Sequence, residues 1–256
     1  MPVADDVKIR EQVYKDPRPA EMFDRYHARV RAHGPEWIYE VVRIVTVWLA
    51  LVFYRVQGFG SENVPNGPVI FAPNHASYLD HFFAGGFVRR HIQFMAKSQM
   101  FGRHIMSWVY NHGGVFPVRR GFADEEAFIT AFTVLERGGT IGMYVEGGRS
   151  RNGKVSHEAK SGIGRLAIVS GAPVVPIAIL GSHQVRNFKR LRFPKIIVQY
   201  GTPIKFEQSD DPTREQQQAA ADEILRRISE MHAKLEAAGP RHAAQVAREA
   251  VAAEPR

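Results

Sequence analysis

Short apolar runs, set apart by turn residues and by amphipathic stretches, recur through the middle of the chain. Their length and composition favour buried strands over helices. The predicted strands are residues 69–72, 93–96, 115–118, 140–145, 174–180 and 196–200.

The stretches between these runs carry apolar residues at helical spacing. Segment 124–137 is the clearest, because its apolar positions share one face, acids occupy its first turn and Gly138-Gly139 follows its end. The other predicted helices are 20–33, 77–90, 98–111, 161–170 and 213–238. This alternation predicts a single α/β domain with a mostly parallel central sheet flanked by helices.

The predicted core spans residues 58–210. Residues 1–57 are expected to form an N-terminal arm and membrane-associating helices, and residues 211–256 a C-terminal helix and tail. Segment 37–56 is almost wholly apolar and aromatic, with a narrow polar stripe. Its longest uncharged run is shorter than the roughly 20 residues that a spanning helix needs. We therefore expect it to lie in a membrane interface, and the alternative is a buried core helix.

Composition narrows the class of function. The chain has 256 residues, no cysteine and a net charge of +8. The absence of cysteine excludes disulfides, zinc–thiolate sites and thiol nucleophiles. A basic balance indicates an anionic partner, which is a nucleic acid, an anionic lipid surface or a phosphorylated substrate. The polar N-terminus does not have the pattern of a secretory signal peptide.

A histidine and an aspartate stand five positions apart just after the first predicted strand. Pro73 should end that strand because it has no N–H to donate, and Asn74 can cap the following helix. Strand-to-helix junctions of α/β proteins often carry chemistry. His75 is thus a candidate general base with Asp80 as its orienter. The alternative is a capping histidine and a surface aspartate.

Three further polar segments follow predicted strands, and these segments can converge on one edge of a parallel sheet. They are Arg119-Arg120, Glu146–Ser150 and the loop after Leu180. Arg119, Arg120, Arg149 and Lys97 together would suit a phosphate, although each arginine alone is equally a solvated surface charge.

Two basic segments have patterns that also occur in nucleotide-binding and nucleic-acid-binding proteins. Residues 148–154 have the spacing of a phosphate-binding P-loop, but Val155 stands where a Ser or Thr is required, which rejects that reading. Residues 186–195 interleave basic and apolar side chains. Nucleic-acid binders, membrane-surface patches and plain basic loops all share this pattern.

The sequence resembles the glycerolipid acyltransferases, which include the lysophosphatidic acid and glycerol-3-phosphate acyltransferases. Asn74-His75-x4-Asp80 resembles their NHxxxxD motif, and three later blocks resemble theirs in the same order. Those blocks are Val115–Arg120, Val145–Ser150 and Val174–Ile177, and Lys97 and Lys160-Ser-Gly162 match two flanking positions. The resemblance covers roughly residues 58 to 205.

The resemblance implies transfer of a fatty acyl group from acyl-CoA or acyl carrier protein to 1-acylglycerol-3-phosphate, giving phosphatidic acid. His75 would be the general base and Asp80 its orienter, with no metal or other cofactor. The implied substrate-binding residues are Lys97, Arg120, Glu146, Gly147, Gly148, Arg149 and Ser150. Arg120 would hold the acceptor phosphate, and Glu146 would bind glycerol hydroxyls or order its loop. The two glycines would bring N–H groups near the oxyanion.

The expected partners are acyl-CoA, a phosphorylated glycerolipid and an anionic membrane surface, at the cytoplasmic face of the cell membrane. Three alternatives remain. The acceptor could be glycerol-3-phosphate or a phosphatidylinositol mannoside, or the same base could hydrolyse acyl thioesters. A nucleic-acid-binding protein is the third, but it leaves His75, Asp80 and Glu146 without a role.

Overall fold

A seven-stranded sheet forms the centre of the molecule. The structure is a computed structural model that describes residues 15–102, 104–122, 124–150, 152–185 and 193–253. The strands are β1 Gln57–Phe59, β2 Val69–Pro73, β3 Ile92–Lys97, β4 Phe116–Val118, β5 Thr140–Gly142, β6 Val174–Leu180 and β7 Ile197–Tyr200. Their order is β1-β7-β6-β2-β5-β3-β4. In the described ranges every neighbouring pair is parallel except β6 and β7, which confirms the predicted mostly parallel sheet.

Helices cover both faces of this sheet. They are α1 Asp24–Ala32, α2 Trp37–Tyr54, α3 Asp80–Gly85, α4 His104–His112, α5 Glu125–Glu136, α6 Gly162–Ser170 and α7 Arg214–Ala253. Three predicted helix bounds were wrong, and the predicted strand 140–145 forms only Thr140–Gly142. Segment 77–90 forms only the short α3, segment 98–111 is split by a 3-10 turn at Ser98–Met100, and α7 continues beyond a kink at Gly239.

Strand β2 shows why the sheet is central. All five of its residues are buried. Ile70 and Ala72 face the core beneath α5, α6 and α7, whereas Val69 and Phe71 face the core beneath α3. A strand buried on both faces reads as a continuous apolar run, as this one does.

Helix α2 touches the core beneath α3 only through Ala50 and Tyr54 near its end. Ala50 is its one buried residue, and Trp37, Ile44 and Trp48 are each at least 60% exposed. The buried-core alternative for this segment was therefore wrong. Within the part of the chain that the structure describes, α2 is the one helix long and apolar enough to cross a membrane by length and composition.

Candidate active site

A cleft opens beyond the carboxyl ends of β2 and β3. Its lining combines His75, three basic side chains and a set of apolar and aromatic residues. The lining residues are His75, Tyr78, His81, Phe94, Met95, Ala96, Lys97, Met100, Tyr110, Val115, Arg120, Tyr144 and Arg149. Clefts at this edge are the usual ligand sites of parallel α/β sheets.

Asn74 fixes the direction in which the chain leaves β2. Its side-chain Oδ1 accepts the Ile179 N–H at 2.7 Å, and its Nδ2 donates to the Ile179 carbonyl at 3.2 Å. The amide thus pairs with β6 as a strand residue would. The predicted helix cap was wrong, because α3 begins only at Asp80.

Asp80 is the centre of a tight loop around His75. One carboxylate oxygen, Oδ2, accepts from His75 Nδ1 at 2.9 Å and from the Ala76 and Ser77 N–H groups at 2.7 Å each. Asp80 is fully buried, so the alternative of a surface aspartate was wrong. A carboxylate at Nδ1 places the ring proton on that nitrogen and leaves the lone pair on Nε2.

The ring of His75 is held on its face as well as its edge. It stacks on Tyr144 with centroids 3.8 Å apart and planes 19° apart. Burial lowers the pKa of His75, Asp80 opposes that effect, and Arg149 and Arg120 add to it. Because the pKa lies below 6.5, the imidazole is neutral at pH 7.

Sequence reasoning missed Tyr144, although it directly precedes the third block of the resemblance. Its ring also lies 5.8 Å from that of Phe94, so an aromatic layer continues from His75 into the wall of the cleft. The sequence feature that could have identified Tyr144 is an aromatic residue near the end of an apolar run, just before the polar segment Glu146–Ser150.

Glu146 is the second buried carboxylate beside His75, and it does not line the cleft. Its Oε1 accepts the His75 N–H at 2.7 Å, and its Oε2 accepts the Ser156 N–H at 3.0 Å. Both oxygens are thus engaged by backbone. The alternative that Glu146 orders its loop fits these contacts, and its binding of glycerol hydroxyls stays a prediction.

Ser150, like Glu146, bonds the main chain of His75. Its N–H donates to the His75 carbonyl at 2.8 Å, and its hydroxyl pairs with Asn152 Oδ1 at 2.7 Å. Ser150 is buried and is not in the lining of the cleft, and its contact with substrate stays a prediction. With Glu146, it anchors the main chain of His75 from both sides.

The two glycines between them differ. Gly147 has a φ of 62°, and a Cβ there would lie 2.8 Å from Lys160 Cγ. Its N–H donates to the Tyr144 carbonyl at 3.2 Å, which leaves it engaged in the turn rather than directed at an oxyanion. A Cβ at Gly148 would meet nothing within 4 Å, so the expected backbone contact at Gly148 stays a prediction.

Three of the four grouped cations line the cleft: Lys97, Arg120 and Arg149. Burial and the charge of Arg149 both lower the pKa of Arg120. The Arg149 guanidinium lies 3.4 Å above the ring of Tyr78. Unlike its neighbour Arg120, Arg119 does not line the cleft. Instead it donates to the Arg18 carbonyl at 3.1 Å.

The sequence model of the acyltransferase family matches residues 55–180. This range contains all four blocks, from Asn74 to Ile177. Residues 55–180 are an acyltransferase domain.

The proteins that the chain resembles include named glycerolipid acyltransferases. The chain is 25% identical over 171 residues to a chloroplastic 1-acyl-sn-glycerol-3-phosphate acyltransferase of Brassica napus, covering 64% of this chain and 46% of that one. It is 24% identical over 174 residues to a glycerol-3-phosphate acyltransferase of Aeromonas hydrophila, covering 59% and 21%. The chain thus spans less than half the length of these two relatives.

The fold has a solved counterpart. The crystal structure of the 1-acyl-sn-glycerophosphate acyltransferase PlsC from Thermotoga maritima superposes with a TM-score of 0.55 at 22% identity. It covers 83% of this chain and 89% of that chain. The likeness shows the shared architecture of the sheet and its flanking helices.

Two further segments singled out in the sequence are the loop after Leu180 and the basic segment 186–195. The loop after Leu180 does not line the cleft, and its His183 packs against Gly153. Residues 186–192 of the predicted basic segment lie outside the described residues. Among the residues that the structure describes, no group of three or more His, Asp or Glu side chains could hold a metal ion.

Proposed function

We propose that this protein transfers a fatty acyl group from an acyl thioester to the free hydroxyl of 1-acylglycerol-3-phosphate. The observation that carries the proposal is the bond between His75 Nδ1 and Asp80 Oδ2, at the edge of a cleft that also holds three cations. The product would be phosphatidic acid.

In the first step the acceptor itself is the nucleophile. Its hydroxyl gives its proton to His75 Nε2 as its oxygen attacks the thioester carbonyl carbon. Asp80 stabilises the imidazolium that forms, as an aspartate does in a hydrolase triad. The acceptor oxygen takes the place of the serine, so the mechanism requires no acyl-enzyme.

In the second step the tetrahedral intermediate collapses. The carbon–sulfur bond breaks, and the thiolate leaves as it takes the proton from His75. The ester forms, and the histidine returns to its neutral state. The backbone N–H of Gly148 is our candidate for stabilising the oxyanion.

The acceptor phosphate is assigned to Lys97, Arg120 and Arg149. Guanidinium groups bind phosphate through paired N–H donors. Arg120 is half-buried in a cleft without a carboxylate in its lining, which leaves a positive site that a dianion would neutralise. The aromatic and aliphatic part of the lining would take an acyl chain.

A substrate held in a bilayer requires an enzyme that meets the bilayer. We assign this contact to α2, whose Trp37, Ile44 and Trp48 are exposed, at the cytoplasmic face of the membrane. Aromatic residues favour the boundary between lipid and water.

Thiol release from palmitoyl-CoA, followed with each acceptor in turn and by mass analysis of the product, tests the reaction. Lysophosphatidic acid should give the fastest release, and its product should be phosphatidic acid. Faster release with glycerol-3-phosphate would assign the activity named for the Aeromonas hydrophila relative. Equal release with no acceptor would assign a thioester hydrolase. Acyl carrier protein in place of CoA identifies the donor.

Arg120→Ala tests the phosphate assignment in the same assay. The acceptor KM should rise about tenfold or more, because one charged hydrogen-bonded pair is worth about 1.5–3 kcal/mol. An unchanged acceptor KM would remove Arg120 from the phosphate site.

Flotation with vesicles of phosphatidylcholine and phosphatidylglycerol tests the membrane contact. The variant Ile44→Glu/Trp48→Glu should no longer float with the vesicles. A matched control is Ala233→Glu/Ala237→Glu, which adds the same charge to exposed positions of α7. Equal flotation of the two variants would place membrane binding elsewhere.

A further inference from the structure

The segment before the first helix is locked onto the rim of the cleft through Asp16. Only 2% of Asp16 is exposed, although it belongs to the irregular chain that leads into α1. Its Oδ2 accepts from the Ser98 hydroxyl at 2.7 Å. Ser98 directly follows Lys97, so this bond reaches the 3-10 turn at the end of β3.

Arg18 completes the lock. It donates to both oxygens of Asp16, through Nε at 2.9 Å and Nη2 at 2.7 Å. The same guanidinium donates to the carbonyls of Ser98 at 2.7 Å and Phe101 at 2.9 Å. One planar fork thus holds the carboxylate and two backbone positions of the turn at once.

A second link leads to the end of the neighbouring strand β4, which pairs with β3 at Lys97 and Val118. Arg119 Nη2 donates to the Arg18 carbonyl at 3.1 Å, and the Arg119 guanidinium lies 4.3 Å from the centroid of Phe122. Arg119 directly precedes Arg120. Asp16 and Arg18 therefore link Ser98, which follows Lys97 at the end of β3, to Arg119, which precedes Arg120 after the end of β4.

A buried ion pair is costly to desolvate and gives little net stability, yet it fixes geometry when each of its atoms is bonded. The pKa of Asp16 is held well below its usual range, mainly by the Arg18 guanidinium. The carboxylate is thus ionised over the whole physiological range. A charged contact at this position sets the separation of two chain segments rather than filling a core.

We propose that Asp16 is a positioning residue for the acceptor phosphate. Through Ser98 and Arg18 it sets the relative position of Lys97 and Arg120, just beyond the paired part of β3 and β4. The inference rests on the proposed function, because it takes these two cations as the phosphate site. It assigns a role in acceptor affinity to a residue that precedes the first helix and the whole of the family match at 55–180.

Asp16→Asn in the full-length protein is the test. The amide keeps the shape but loses the charge that holds Arg18. The KM for lysophosphatidic acid should rise about five- to tenfold, while kcat and the KM for palmitoyl-CoA stay within twofold. Asp24→Asn, at an exposed position of α1, should change none of the three constants.

Ser98→Ala provides a milder second variant, since it deletes one hydrogen bond and leaves the ion pair. It should raise the acceptor KM two- to threefold. In an Arg120→Ala background, Asp16→Asn should add less than twofold to the acceptor KM, because its effect passes through the phosphate site. Full multiplication of the two effects would overturn that route.

An acceptor KM that stays unchanged in both Asp16→Asn and Ser98→Ala would overturn the inference. A parallel loss of kcat and of affinity for both substrates, with a lowered Tm, would assign Asp16 a structural role and also overturn it. The proposed function fails separately, by absence of acyl transfer in the wild type or by an unchanged acceptor KM in Arg120→Ala.

Discussion

Two loops each place a buried carboxylate beside His75, but the two carboxylates bond different atoms of that residue. In the loop after β2, Asp80 bonds the imidazole ring. In the loop after β5, Glu146 accepts hydrogen bonds from the backbone N–H groups of His75 and Ser156. One carboxylate therefore acts on the protonation state of His75, and the other acts on its location.

Burial and hydrogen bonding act in opposite directions on Glu146. Burial raises the pKa of Glu146 to about 7, against the two N–H groups that favour its ionised form. Asp80 accepts three hydrogen bonds at a single oxygen. A buried carboxylate near a base is thus not by itself an active-site acid. The atoms that it bonds decide what it does.

His75→Ala should have the largest effect. If Nε2 is the base, acyl transfer falls about 10³–10⁴-fold, at the upper end of what general-base catalysis contributes. Thiol release with lysophosphatidic acid measures the loss. His157→Ala, at an exposed position of the 146–160 loop, is the control and should retain full activity. Activity within a few-fold of wild type in His75→Ala would remove the histidine from the chemistry.

Asp80→Asn should come next, with kcat lowered about 10²-fold. Its amide oxygen can still accept the Ala76 and Ser77 N–H groups, so the loop can keep its shape. The amide no longer stabilises the imidazolium or enforces the Nδ1–H tautomer. Steady-state kinetics should show the loss in kcat with little change in either KM. Asp210→Asn, at an exposed position, controls for loss of one negative charge. A variant with normal kcat would mean that Asp80 only shapes the loop.

Glu146→Gln should change stability more than chemistry, and the change should depend on pH. The pKa of Glu146 is raised in the folded protein, from 4.5 to about 7. Its contribution is therefore fully present below pH 4.5 and is lost as the pH rises through about 7. Relative to wild type, the free energy of unfolding of Glu146→Gln should increase by up to about 3 kcal/mol over that range. Urea unfolding at several pH values measures this. A difference that does not vary with pH would contradict the raised pKa.

The smallest expected effect is the change of kcat/KM with pH in the wild-type protein. Burial lowers the pKa of His75 below 6.5, so the neutral base predominates at pH 7. Activity should fall on acidification with a midpoint below pH 6.5 and should change little between pH 7 and 8. A midpoint above 7 would mean that the attraction of Asp80 outweighs the burial of the ring.

Much of the fold and part of the site could be predicted from the sequence. Buried strands of a parallel sheet are continuous apolar runs, which is why β2 and β6 were identified closely. His75, Asp80, Lys97, Arg120 and Arg149 follow strands, and the structure brings them to one cleft edge. Their roles in catalysis and binding stay predictions.

Two physical reasons account for the differences from the sequence-based expectations, and the first is that spacing does not give the direction of a side chain. Arg119 and Arg120 are adjacent, yet only Arg120 lines the cleft. Glu146 has the position of a site residue but bonds backbone. Strand β1 was missed because Gln57-Gly58-Phe59 is short and half-exposed, so that its pairing with β7 depends on a long-range contact.

The pairing of Asn74 with Ile179 gives the active site a natural reporter. The Ile179 amide proton is held by a side chain rather than by a neighbouring strand. It can exchange with solvent when the junction after β2 opens, while the strands themselves remain paired. Its hydrogen-exchange rate, compared with that of another β6 amide, would therefore measure how often the loop that carries His75 releases, separately from unfolding of the sheet.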